Sequence, residues 1–176
     1  HIKEKCNLED LMEKSYIETS SKINETLTNL ISKIGENLEI RRCDFLSIDD
    51  GYVGTYVHNV EKDSMGKIGV LVSVQTKIEY NNISDFLKKI SMHIAATDPV
   101  AITESDIDKN LLDKEKSFQL EEIKKSGKDP SIQEKMLEGK MKKYFNEVVL
   151  LEQNLVMDDS LKIKDYIENF SKEYNN

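Results

Sequence analysis

Three kinds of residue in this chain could support chemistry: the histidines His1, His58 and His93, the cysteines Cys6 and Cys43, and the acidic pair Asp49-Asp50. A histidine can serve as a general base because its proton comes and goes near neutral pH. His93, however, follows Phe86 and Ile90 at helical spacing, which sets it beside an apolar face. A packed, hydrogen-bonded histidine is the stronger reading. Asp49-Asp50 could hold a cation, but Gly51 follows directly, and Asp-Gly is turn chemistry because both residues tolerate positive φ. The cysteines stand far apart and form no CxxC pair, and the scattered histidines lack zinc-ligand spacing. Both cysteines are read as reduced thiols of a cytosolic protein. No GxxxxGK(S/T) loop and no glycine-rich dinucleotide fingerprint occurs, so the chain is not expected to bind nucleotide itself. With no nucleophile–base pair and no metal set, no catalytic residue, metal ligand or cofactor is assigned, and an enzyme is the disfavoured class.

The composition points the same way. Acidic residues outnumber basic ones 33 to 25, for a net charge of -8. That balance argues against nonspecific binding to nucleic acid or to an anionic membrane, since both need a basic face. No apolar run approaches the roughly 20 residues of a membrane span, and no signal peptide is visible. The chain begins with His1 rather than methionine and is expected to be a fragment or a tagged chain.

The elements that would position these residues can be read from periodicity. Leu8, Leu11, Met12 and Tyr16 fall at helical spacing, and a firmer helix from about Ser21 to Ile34 carries Ile23, Leu27, Leu30, Ile31 and Ile34 on one stripe. Gly35 stands where a helix commonly ends in a left-handed residue. Beyond it the period drops to two: Leu38, Ile40, Cys43, Phe45 and Ile48 mark a strand, with a parity break near Arg41-Arg42 consistent with a bulge. Tyr52 to Val57 and Ile68 to Val74 supply two further strands. The spacing therefore predicts an α+β core with an antiparallel three-stranded sheet packed with helices. The helical period returns from Ile83 to Thr97, with Phe86, Leu87, Ile90 and Ile94 on one face, and Asp98-Pro99 ends it.

From Asp106 to Lys125 the chain is highly charged, with only a thin apolar seam of Ile107, Leu111 and Phe118. Ser126-Gly127-Lys128-Asp129-Pro130 then reads as a helix stop, a turn, an Asp N-cap and a proline in the first helical position. A second helix carries Ile132, Met136, Met141, Phe145 and Val148. Two charged helices joined by so short a turn predict a protruding antiparallel helical (coiled-coil) hairpin. An extended linker with an apolar tip, Val156-Met157, leads to a last helix bearing Ile163, Tyr166, Ile167 and Phe170. The expected organisation is N-terminal helices and α+β core over 1–103, the helical hairpin over 104–149, and linker plus returning helix over 150–176.

Ser91-Met92-His93-Ile94-Ala95-Ala96, followed by a short loop and Pro99, resembles the elongation factor Ts family's helix motif, in which Met-His-Ile/Val-Ala-Ala precedes a loop and a proline. Four further stretches agree in order. Lys33 to Arg42 (KIGENLEIRR) is similar to the family's helix-to-strand segment, Gly54-Thr55-Tyr56-Val57-His58 to its second strand, and Lys67 to Val72 (KIGVLV) to its third. Glu134 to Phe145 (EKMLEGKMKKYF) resembles the returning arm of its coiled-coil hairpin. Leu150-Leu151-Glu152-Gln153 and Val156-Met157 are similar to the family's segment immediately after that arm. The resemblance runs from about Thr26 to Asp158.

The resemblance implies a bacterial, cytoplasmic guanine-nucleotide exchange factor for the GTPase elongation factor Tu. Such a factor acts by binding and favours the nucleotide-free conformation, so that GDP leaves. By matched position, Ile34 and Gly35 resemble a contact with the GTPase's nucleotide domain, while His58 and the Val156-Met157 tip resemble contacts with its more distant β-domain. His93 is read as structural first, with a contact role as the alternative. The hairpin, Asp106 to Val149, resembles an arm that touches the partner or a second copy of the factor, so a homodimer is a further expectation; no direct nucleic-acid or membrane partner is implied. The family's N-terminal three-helix module, its Thr-Asp-Phe-Val loop and its final strand have no counterpart in this sequence, so reduced exchange activity is expected. The alternative reading is a noncatalytic scaffold or dimerisation module that uses the hairpin for protein contacts.

Overall fold

A computed structural model describes residues 6–62 and 64–174, in two units, His1–Ser47 and Ile48–Asn176. The first unit holds two helices. α1 (Leu8–Glu13) opens on Asn7, whose side chain accepts from the Asp10 N–H. α2 (Ile23–Ile34) ends at Gly35, which takes the left-handed conformation at φ 78° and donates its N–H to the Ile31 carbonyl. A β-carbon at Gly35 would meet nothing within 4 Å, so only the backbone conformation disfavours another residue there. Gly35→Ala is expected to destabilise the first unit by about 1 kcal/mol, and Gly35→Asn by less, as read by urea unfolding.

The second unit contains the sheet. β1 (Gly51–Lys62) and β2 (Met65–Gln75) form a long antiparallel hairpin, in register from Gly51 opposite Gln75 to His58 opposite Ile68. The expected third strand is not part of it: residues 37–48 form no ladder, and the sheet is two-stranded. Alternation at Leu38, Ile40 and Cys43 assigns side chains to faces, but it cannot name a hydrogen-bonding neighbour.

α3 (Tyr80–Thr97) lies against this hairpin and buries Ile83, Phe86, Leu87, Ile90, Ser91 and His93. It stops at Asp98, which adopts φ 45° ahead of Pro99 and donates to the Ile94 carbonyl. Gly54 lets β1 come close to this helix: a β-carbon there would lie 2.9 Å from Leu87 Cβ. Gly54→Ala is therefore expected to cost about 1–2 kcal/mol through overpacking, measurable as a lowered denaturation midpoint with an unchanged slope.

The arm consists of α4 (Lys109–Lys124) and α5 (Pro130–Val148). Asp129 caps α5 ahead of Pro130 in the first helical turn, as the sequence predicts, and the structure adds Asp108 as the cap of α4. The seam is rotated from the expected one. Leu111 and Phe118 are exposed, while Leu112, Glu115, Gln119 and Ile123 line the covered face of α4. Gln119 donates to Glu115 Oε1 at 2.7 Å and accepts from Lys140 Nζ of α5 at 2.7 Å. Polar groups thus fill part of a seam that apolar periodicity alone cannot locate. At the root, a parallel bridge joins Ala101 to Val149.

The segment beyond the arm is not an extended linker. β3 (Asn154–Leu155) and β4 (Asp158–Lys162) form a second antiparallel hairpin whose two-residue turn is Val156-Met157. α6 (Ile163–Glu173) then returns to α3, where Phe86 stacks on Phe170 at 4.3 Å and on Tyr166 at 5.2 Å between ring centroids.

Candidate functional site

The Val156-Met157 turn sits above the C-terminal half of α3, where one groove of about 420 Å³ is lined by Tyr56, His58, Ile68, Met92, His93, Ala95, Ala96, Val156 and Met157. Each element contributes for a local reason. The alternation of β1 places Tyr56 and His58 on the same face, two residues apart. Their side chains pair, with the Tyr56 hydroxyl 3.2 Å from His58 Nδ1. On α3, Ala95 and Ala96 are small enough to leave the groove open. The turn brings up two apolar side chains, Val156 at 55% and Met157 at 47% exposed.

His93 forms the floor and is fully buried. Both ring nitrogens are engaged: Nε2 lies 2.9 Å from Gln153 Oε1, and Nδ1 lies 3.2 Å from the Val156 backbone nitrogen. Gln153 is itself buried. It donates from Nε2 to the Glu147 carbonyl at 2.8 Å, and the Thr97 hydroxyl approaches its Oε1 at 3.0 Å. Burial pushes the His93 pKa down from its ordinary value, with a smaller opposing pull from the Gln153 hydrogen bond.

Of the residues singled out in the sequence, the fold gathers His58, His93, Val156 and Met157 around this one groove. Ile34 and Gly35 are a feature of the first unit, the end of α2, where Ile34 is 52% exposed. His1 lies outside the described residues. Sequence reasoning passes over Gln153 as a working residue. Its signal is a short polar run, Glu152-Gln153-Asn154, between the apolar pairs Leu150-Leu151 and Leu155-Val156, a setting in which a polar side chain turned inward needs a buried partner. Asp49 and Asp50 precede β1 in a bend. Among the described residues no group of three or more histidine, cysteine or acidic side chains could hold a metal ion, and no helix is long and apolar enough to cross a membrane.

The groove is thus largely apolar, open on one side, and backed by the hydrogen-bonded set of His93, Gln153 and Thr97. Comparison with known proteins shows the family. A family model described as elongation factor TS matches residues 1–176. The chain is 37% identical to the elongation factor Ts of Bartonella bacilliformis over 166 residues, covering 94% of this chain and 54% of that protein. It is 42% identical to that of Bartonella henselae over 141 residues, 80% of this chain and 46% of the relative. For the elongation factor Ts of Rhodospirillum centenum the identity is 39% over 166 residues, 94% of this chain and 54% of the relative. The chain belongs to the elongation factor Ts family, and it spans about half the length of the curated relatives it matches.

Proposed function

We propose that this chain is the core and arm of a guanine-nucleotide exchange factor that promotes GDP release from elongation factor Tu, in the bacterial cytoplasm, during translation elongation. The observation that carries the proposal is the convergence of His58, Val156 and Met157, distant in sequence, on one exposed groove in a chain of this family. The groove offers apolar anchors and an imidazole, and its walls hold no group that would do chemistry on a bound nucleotide. Exchange then follows from differential binding. A factor that prefers the nucleotide-free GTPase weakens GDP binding by the same factor by which GDP weakens its own. Ile34 and Gly35 supply a second contact, on the nucleotide domain, and the groove holds the β-domain.

Calorimetric titration of nucleotide-free elongation factor Tu with the chain tests the docking half of this reading. Binding that His58→Ala weakens supports it; undetectable binding at high micromolar concentration rejects it.

A second reading has its own observation. Leu111 and Phe118 stand exposed on α4, outside the arm's seam, which suits a scaffold or a homodimer contacting through the arm. Sedimentation velocity of the chain and of Phe118→Asp discriminates: dimers that the substitution dissolves assign self-association to this face.

A further inference from the structure

We propose that His93 is a positioning residue for the Val156-Met157 turn, held by Gln153 in the one tautomer that can grip the turn and so tying the docking tip to the root of the arm. The inference rests on the docking reading above but concerns a residue that touches the tip through its backbone.

The tautomer follows from hydrogen-bond logic. The Val156 backbone N–H can only donate, so His93 Nδ1, 3.2 Å away, must be the unprotonated nitrogen. Gln153 donates its amide N–H to the Glu147 carbonyl, which leaves Oε1 facing His93 Nε2 as an acceptor at 2.9 Å. The imidazole proton therefore sits on Nε2. The chain of contacts runs from Glu147, in the last turn of α5, through Gln153 and the ring to the first residue of the turn. The β3–β4 ladder alone is a weak hold: its register shifts between Asn154 and Leu155, and Asp158 spends its carboxylate on the Ser160 N–H and hydroxyl. Without the histidine, the turn depends on two short strands.

The grip requires a neutral ring. A protonated His93 would present an N–H at Nδ1 to the Val156 N–H, donor against donor. The folded state holds the His93 pKa below its ordinary 6.5 through burial. The unfolded chain therefore takes up this proton first as the pH falls, so the contribution to stability is full above about pH 6.5 and is lost below it. The titratable groups on the surrounding elements include Tyr56 and His58 across the groove on β1, Glu147 at the end of α5, Glu152 in the 3-10 turn Leu150–Glu152, Asp158 at the start of β4, and Asp85 and Lys89 on α3. Four of these are already engaged in ion pairs: Glu147 with Lys143, Glu152 with Lys162, and Lys89 with Asp85. β2 brings only Ile68 to the groove.

The test uses the whole chain, with nitrogen-15 labelled histidine and amide exchange followed by NMR from pH 8 to pH 5. The expected result is a His93 Nδ1 without a proton at neutral pH, and a Val156 amide whose protection falls as the ring titrates. His93→Leu keeps the volume but removes the acceptor, and it should speed Val156 exchange about tenfold at neutral pH. His93→Asn restores an acceptor that does not titrate, and should return protection with a flat pH profile. Melting curves on both variants confirm that they fold. A proton on Nδ1 at neutral pH, or wild-type Val156 protection in a folded His93→Leu, overturns the proposal. Both readouts are taken without a partner, so loss of binding to elongation factor Tu with Val156 protection intact counts against the docking function and not against the positioning role.

Discussion

Phe86→Ala is expected to lower the unfolding free energy of the second unit by about 3–5 kcal/mol, the range for emptying a buried aromatic site. Phe86 is 5% exposed and belongs to the apolar cluster formed by Ile83, Leu87, Ile90, Leu150, Leu155 and Ile163. Its ring also stacks on Phe170 and Tyr166 of α6, and Phe170 continues the stack to Tyr174 at 4.9 Å. Truncation removes the transfer free energy of the ring, opens a cavity that two helices would have to shift to close, and strips two aromatic contacts. The loss should appear as a fall in Tm of more than about 10 °C. Phe86→Leu, which keeps much of the volume, should cost less than half as much. Equal losses for the two substitutions would mean that stacking and volume at this site do not hold α6 to α3.

The second large effect falls on binding and leaves folding alone. Val156→Asp places a carboxylate on a turn whose side chain is 55% exposed in the free chain, so stability should change by less than about 0.5 kcal/mol. In the proposed complex the same position would be an apolar anchor, and burying an unpaired charge there should weaken docking by about 2 kcal/mol or more, roughly thirtyfold. Met157→Ala removes only packing and should cost about 1 kcal/mol. The separation of the two readouts is the informative part. Thermal melts that match the wild type, together with titrations that do not, locate the damage at the interface. Matching values in both would remove the turn from the binding surface.

Much of the framework is legible in the residues themselves. Gly35 ends α2 where the apolar stripe stops, Asp98-Pro99 ends α3, and Asp129-Pro130 starts α5, because capping and proline geometry are local effects that tertiary packing rarely overrules. The features beyond reach are non-local. Leu38 to Ile48 alternates like a strand yet pairs with nothing in the sheet, because pairing depends on which backbone arrives alongside. The arm's seam departs from the apolar periodicity because Glu115 and Gln119 occupy covered sites through hydrogen bonds instead of apolar burial. The β3–β4 hairpin is hidden for a different reason. Val156-Met157 carries none of the glycine, asparagine or aspartate that marks a two-residue turn, and the N–H of Val156 is held by a histidine sixty-three positions away. His58, Val156 and Met157 can be singled out from motif resemblance; their meeting in one groove, with Gln153 behind it, comes only with the fold.

The central claim is tested most directly by the release of a fluorescent GDP analogue from elongation factor Tu, with and without this chain, under rapid mixing. The account predicts faster release that saturates with added chain and that Val156→Asp reduces at subsaturating concentrations. A release rate that stays at its intrinsic value at saturating chain would contradict it.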